Sequence, residues 1–521
     1  MFRTPKYDSA SYEDNFKEAL PAFRAIVGDN WVVTDPESLY AYRAADSSVE
    51  DDVYLPSAVI APSSVEEVQA IMKAANVHNT PLWPISTGKN YCYGGPAPRV
   101  KGTGVLDLRR MNKILEINER QNYALLEPGV SFIELHRELR RRNTKLWVCP
   151  AAPGWGGVVG NALERGVGWT PYGDNWGAQC GLEVVLPNGE LLRTGMGALT
   201  GSETWQAFKY GFGPHMDGIF TQSNFGIVTK MGIWLMEEPP VVKPVMVAVE
   251  NEEDLGLLVD TLRPLRVAGL IPGALMLFDY LSEAATELRR ADFEPKEGLL
   301  SEASKKAIRE KLNCGAWNIY TCFYGTQEIV DASYATFEAT LKKIKGARFF
   351  LEGSRGNSVA WKYRMMLMRG QPNMGEFSQL NWIGSGGHVA FAPILPLEGA
   401  HAEKIYKKIK ELYNAAGFDP VIDFGIGGRE MHCVLMFFFD RTNPNERKRA
   451  NDVVRQSIYE CAKLGYGEYR THLTFMDDVA STYNFNNNAL LRFQETLKDA
   501  IDPNGILAPG KSGIWPKSMR G

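Results

Sequence analysis

The residues most able to do chemistry sit in or beside glycine-rich turns. In "PISTGKNYCYGG" (84–95), glycines, an asparagine and two tyrosines, Tyr91 and Tyr93, follow a short apolar run. "STGKN" (86–90) is one of four such turns, with "APGWGGVVGN" (152–161), "GVGWTPYGDNWG" (166–177) and "TQSNFGIVTKMG" (221–232). Glycine lets backbone N–H groups come close to an anion. None of the four is a Walker loop, and Gly154, Gly156 and Gly160 lack the strand and βαβ context of a dinucleotide fingerprint. Taken together they favour a large phosphate-bearing cofactor. Of the seven histidines, His388 in "WIGSGGHVAF" stands out, because two glycines free the backbone just before an apolar strand.

These groups need elements to position them. "LPSAVIAPSSVEEVQAIMKAANVHNTPLWPIS" reads as a strand over 58–61, a Ser63 or Ser64 cap, a helix with Val65, Val68, Met72 and Ala75 on one face, and a second strand after Pro81. "GVLDL", "YALLEPGV", "GLEVVLPNGELLRTG" and "GIVTKMGIWLM" read as further strands, with a hairpin around Asn188-Gly189. At "EEPPVVKP", Pro239, Pro240 and Pro244 suit a linker and a domain boundary. Beyond it, strand-then-helix order recurs three times, which predicts an antiparallel sheet backed by helices. The last sixty residues read as a return to the first domain.

Composition narrows the function classes. The chain has 521 residues, 45% hydrophobic and 23% charged, so it is a folded protein of several domains. With 57 basic and 61 acidic residues, a nucleic-acid partner is not expected. Seven scattered cysteines without a C-x-x-C pair argue against a metal site and for buried thiols in a reducing compartment. No apolar leader or membrane span is visible, so a cytoplasmic location is the expectation.

The strings "PISTGKNYCYGGPAPR", "YALLEPGVSF", "VVGNALERGVGWTPYGD", "FTQSNFGIVTKMGIWLM", "GREMHC", "GYGEYRTHLTFMDD" and "DPNGILAPGKSGIW" run in order along nearly the whole chain. They resemble the vanillyl-alcohol oxidase family of flavoproteins. The resemblance implies an α+β fold: a two-part FAD-binding domain over 1–236 and 467–521, and an inserted cap domain over 237–466 built on an antiparallel sheet. It implies that Pro84, Ser86, Thr87, Gly88, Lys89 and Asn90 hold the FAD pyrophosphate, and that Gly160, Asn161, Gly226, Ile227 and Lys511 complete the bed. His388 would be the covalent, histidyl attachment point, because Leu380 stands where the family's methylhydroxylases attach flavin through tyrosine. Tyr93, Tyr469 and Arg470 would hold a phenolic substrate as its anion, so that hydride can leave the para-carbon for flavin N5 and leave a p-quinone methide.

The chain also departs from the family pattern. Ala152 falls where the oxidases carry a catalytic aspartate, whereas Asp423 matches a methylhydroxylase carboxylate and is the expected base for water addition. Glu376 and Glu430 match family acidic positions. Cys433 replaces a second histidine, and Trp169 a tyrosine. Ala151 stands where the oxidases have proline. Oxygen is the expected electron acceptor and a cytochrome c the alternative; a homo-oligomer is expected. A silent flavin carrier would not need Tyr93, Tyr469, Arg470 and His388 together, and a sugar or lactone oxidase would not need a phenolate cluster.

Overall fold

The computed structural model describes residues 5–7, 9–295 and 297–521. The first unit is the βαβ segment. Ala58–Ile60 leads through the helix Val65–His78 to Leu82–Ile85. Ser64 caps the helix by accepting from the Glu67 N–H, and Val65, Val68, Ile71, Met72 and Ala75 form its buried face. The two strands do not pair with each other: Gly104–Asp107 lies between them, parallel to both, and Val32–Val33 adds an antiparallel edge.

A second, five-stranded antiparallel sheet has the order Ile114–Asn118, Tyr123–Leu126, Ile227–Trp234, Gln179–Val185, Leu191–Arg193. Its last two strands form the hairpin read around Asn188-Gly189, with Gly189 at φ 85°. The C-terminal segment packs back onto these two sheets. Leu507 bridges Leu82, and Ile506, Leu507 and Ile514 join their cores. Lys498 is fully buried, paired with Asp502 at 2.6 Å, and donates to the carbonyls of Asn224 and Leu507.

The third sheet has eight strands drawn from residues 241–439. Its order is Arg348–Phe350, Val241–Val249, Trp317–Gly325, Met276–Asp279, Val421–Ile426, Glu430–Phe439, Gly387–Phe391, with Ile394–Pro396 also on Glu430–Phe439. Every pairing is antiparallel. The helices Leu255–Val267, Gly399–Ala415 and Pro444–Lys463 contribute to its largest apolar core. One expectation is corrected here. Pro244 does not break an element but lies inside Val241–Val249, opposite Cys322. The neighbouring strand Arg348–Phe350 covers only Met246 to Ala248, so Pro244 has a partner strand on one side alone, where a proline is tolerated.

All seven cysteines are buried and free. Among the described residues, no helix is long and apolar enough to cross a membrane, and no group of side chains could hold a metal ion.

Candidate active site

A cavity of about 370 Å³ lies between the first two sheets and the third. Its floor is the loop that follows Leu82–Ile85. There the backbone turns through Gly88 (φ 68°), Cys92 (φ 60°), Gly94 and Gly95. No protein acceptor meets the backbone N–H groups of residues 86–90 among the described residues, so five consecutive donors are free. Opposite them starts the short helix Val158–Leu163. A Cβ at Gly160 would run into Ser86 Oγ, so glycine is what allows this approach. Pro84, Ser86, Thr87, Gly88, Lys89, Asn90, Gly160, Asn161, Gly226, Ile227, His388 and Lys511 all line the cavity. Lys511 is paired with Glu164.

The third sheet supplies the opposite wall from its last two strands, through His388 and Ala390 on one and Val434 and Met436 on the next. His388 is 1% exposed. Its Nδ1 lies 3.2 Å from the Phe437 carbonyl, which makes Nδ1 the protonated nitrogen and leaves Nε2 its lone pair. The ring stacks on Phe438, and burial pulls its pKa down to about 4, so the imidazole is neutral. Asp46 ties the two walls together. Its carbonyl accepts from the His388 N–H at 3.0 Å and its carboxylate from the Cys92 N–H at 2.5 Å.

Tyr93, Tyr469 and Arg470 meet at one end of the cavity. The Arg470 guanidinium lies 4.0 Å over the Tyr93 ring, and Nη2 donates to Asn90 Oδ1 at 2.8 Å. Its Nε is buried without a partner, and among the described residues it forms no ion pair. The neighbouring Glu468 is turned away, accepting from the Ala392 N–H. Burial raises the pKa of both tyrosines, so their hydroxyls keep their protons.

Of the expected carboxylates only Glu376 is brought to the cavity. Its Oε2 has no partner, and burial raises its carboxyl to about 8 against the opposing charge of Arg364. Asp423 and Glu430 are not brought there. Asp423 pairs in register with Val434 but sits one strand further from His388, where helix Tyr280–Glu287 covers it. Its oxygens accept from the Asp279 N–H and the Ser282 hydroxyl. Glu430 stands at the tip of the hairpin, seven residues along the strand from Phe437, or about 23 Å. Cys433 is buried in the sheet, and His432 beside it packs on Tyr469 at 4.9 Å. Trp169 and Leu380 lie off the cavity in apolar clusters. Tyr91 was not singled out for a role, yet it lines the cavity with an unpartnered hydroxyl. A second tyrosine inside one tight turn was the available signal.

Comparison with known proteins fits this geometry. Residues 56–195 match the FAD binding domain family, and residues 240–512 match the C-terminal domain of FAD linked oxidases. The chain is 42% identical, over 96% of both chains, to the flavoprotein subunit of 4-cresol dehydrogenase [hydroxylating] of Pseudomonas putida. Solved structures of p-cresol methylhydroxylase with substrate bound (41% identity, 96% and 97% covered) and of 4-ethylphenol oxidase from Gulosibacter chungangensis (39%, 97% and 98%) both superpose with a TM-score of 0.94. The chain belongs to the vanillyl-alcohol oxidase/p-cresol methylhydroxylase family. As a member it is a flavoprotein oxidoreductase, and its residues fit FAD. The free N–H groups of 86–90 suit a pyrophosphate, and the glycine cradle at 157–160 leaves room for backbone to close on it. A 30%-identical relative over 96% of the chain, 1'-carboxy-chondrochloren decarboxylase of Chondromyces crocatus, marks the chemical breadth of this family.

Proposed function

We propose that the protein oxidises para-substituted phenols, carrying alkyl, allyl or hydroxymethyl side chains, by removing hydride from the benzylic carbon. Arg470 carries this reading: a guanidinium at the cavity wall, stacked on a tyrosine, with its Nε buried and unpartnered. A buried N–H left without an acceptor is costly, and a phenolate is an anion of the right shape to meet it. A free phenol has a pKa of about 10. The charge of Arg470 and the O–H donors of Tyr93 and Tyr469 favour its ionised form. The phenolate oxygen then feeds electrons into the ring and weakens the benzylic C–H bond.

FAD, held by the 86–90 loop, supplies the hydride acceptor. His388 is its covalent attachment point in this reading, supported by a neutral ring with a free Nε2 on the cavity wall. The p-quinone methide left by hydride loss adds water or loses a side-chain proton. Glu376 takes the proton from that water, a role supported by its unpartnered oxygen and its place on the wall. Asp423, with both oxygens engaged elsewhere, does not serve it. Oxygen is the final acceptor. A cytochrome is the second reading, favoured by Ala151 on the cavity wall and by a relative that is one subunit of a larger enzyme. The aromatic loop carrying Phe208, Tyr210 and the fully exposed Phe212 supports a homo-oligomer.

The test is anaerobic mixing with 4-ethylphenol and with 4-ethylanisole, followed by air or cytochrome c. Only the free phenol is expected to bleach the flavin. Equal bleaching by the methyl ether overturns the phenolate role of Arg470.

A further inference from the structure

Behind Glu376 lies a charged cluster that the reaction as described does not use. Arg364, from the helix Val359–Met368, is wholly buried and forms an ion pair with Glu283 Oε1. The other oxygen of Glu283 accepts from the Tyr320 hydroxyl at 2.9 Å and faces Arg355 at 3.8 Å. Two guanidinium groups therefore share Glu283; the buried Asp423 also faces Arg364, but burial and the neighbouring Asp279 push its carboxyl towards the neutral form, so the two arginines outweigh the carboxylate between them. Arg364 Nη2 is buried without a partner, so the surplus is not discharged through that nitrogen. Nε donates to the Tyr363 hydroxyl at 3.1 Å.

The same helix fixes the backbone that carries Glu376. Gly375 packs so closely on Tyr363 that a Cβ there would overlap the ring. Asn373 clamps the pair, donating to the Tyr363 carbonyl at 3.0 Å and accepting from the Gly375 N–H at 2.9 Å. The titratable groups that face Glu376 are Arg364 and Tyr363 from this helix, and Tyr91 and Cys92 from the 86–95 loop. Burial keeps the two tyrosines and the thiol protonated. Arg364, joined to this backbone through the Tyr363 hydroxyl, opposes the effect of burial on the Glu376 carboxyl, while the Asp46 carboxylate lies beyond Cys92, on its N–H.

We propose that Arg364 is a positioning residue for the reaction: with Tyr363 and Asn373 it sets the Glu376 carboxyl against the cavity, and the surplus charge it shares with Arg355 keeps that carboxyl ionisable near neutral pH. Without this charge, burial would hold Glu376 more firmly in its protonated form and leave a smaller share of it able to take a proton from water. Glu283 acts in the opposite sense by cancelling part of the charge. The proposal rests on the reading of Glu376 as the proton acceptor.

The test is an infrared titration of the intact holoprotein without substrate, following the protonated-carboxyl band that Glu376→Gln removes. Arg364→Gln is expected to move the midpoint up by about one pH unit, and Arg364→Lys to hold it near the wild-type value. Glu283→Gln, which leaves both arginines uncancelled, is expected to move it down. A merely structural role would not produce opposite shifts. Should Arg364→Gln fail to fold, Glu283→Gln decides: an unmoved or raised midpoint overturns the proposal. The same variants with 4-ethylphenol should move the acid limb of kcat in parallel. Shifted midpoints with an unmoved limb would instead overturn the role of Glu376 in turnover.

Discussion

Arg470 and Glu376 each bring a buried, unpartnered polar atom to the cavity wall, yet they call for opposite behaviour. Arg470 must stay charged to hold an anion. Arg470→Ala is therefore expected to lower the rate of flavin reduction by 4-ethylphenol at least about 100-fold, and Arg470→Lys to restore only part of it, because a point charge lacks the planar fork. Stopped-flow absorbance reads both. Glu376 must be able to change state, and that leaves a mark on stability. Its folded pKa, about 8, lies above its value of about 4.5 in the unfolded chain. Its stabilising contribution is complete below about pH 4.5 and is lost as pH rises towards 8. Glu376→Gln should accordingly raise Tm over wild type at pH 8 and leave it nearly unchanged at pH 4.5, as differential scanning fluorimetry can show. A constant difference across that range would contradict a titrating Glu376.

At the level of elements, much was legible because local signals agreed: the cap at Ser64, the helical face from Val65 to Ala75, the Asn188-Gly189 hairpin and the three strand-helix repeats. What failed depended on neighbours in space. Pro244 sits in a strand at a point that one adjoining strand does not reach, which is a matter of sheet order and not of local sequence. Asp423 shares a face with Val434, but period-2 alternation says nothing of which strand ends up under helix Tyr280–Glu287. Arg364 carries no motif at all; its charge matters through a cluster assembled from three separate segments. The glycine cradle gives a direct test of element spacing. Gly160→Ala should push the helix Val158–Leu163 off Ser86 and release most of the flavin, and Ser86→Gly in the same chain should recover part of it. The buried pair Lys498–Asp502 gives another. Lys498→Met is expected to cost about 3–5 kcal/mol in chemical denaturation, because it strands a carboxylate in the core.

For the molecule as a whole, the bed for FAD and the attachment point proposed for it come from different parts. The 86–90 loop belongs to the first sheet and His388 to the third, with Asp46 bonded to both walls. Arg441 on Asp51 and Arg447 on Glu50 clasp the same segment from outside. A covalent bond at His388 would stitch these parts together. His388→Ala is then expected to let flavin into the supernatant after acid precipitation, where the wild type keeps it in the pellet, and to lower the Tm of the holoprotein. Flavin free in the wild-type supernatant would rule out the link.

The C-terminal return has a consequence for how the protein is made. Leu507 bridges Leu82, Lys498 holds the carbonyl of Asn224, and Lys511 lines the cavity. The ribosome makes these residues hundreds of codons after the glycine turns they support. A nascent chain that has emerged only as far as residue 490 has every one of the 86–90 donors but not the wall behind them. A bed built this way is complete only once residues 498–511 have emerged, so flavin scarcity in a cell would be felt late in the making of each chain rather than early.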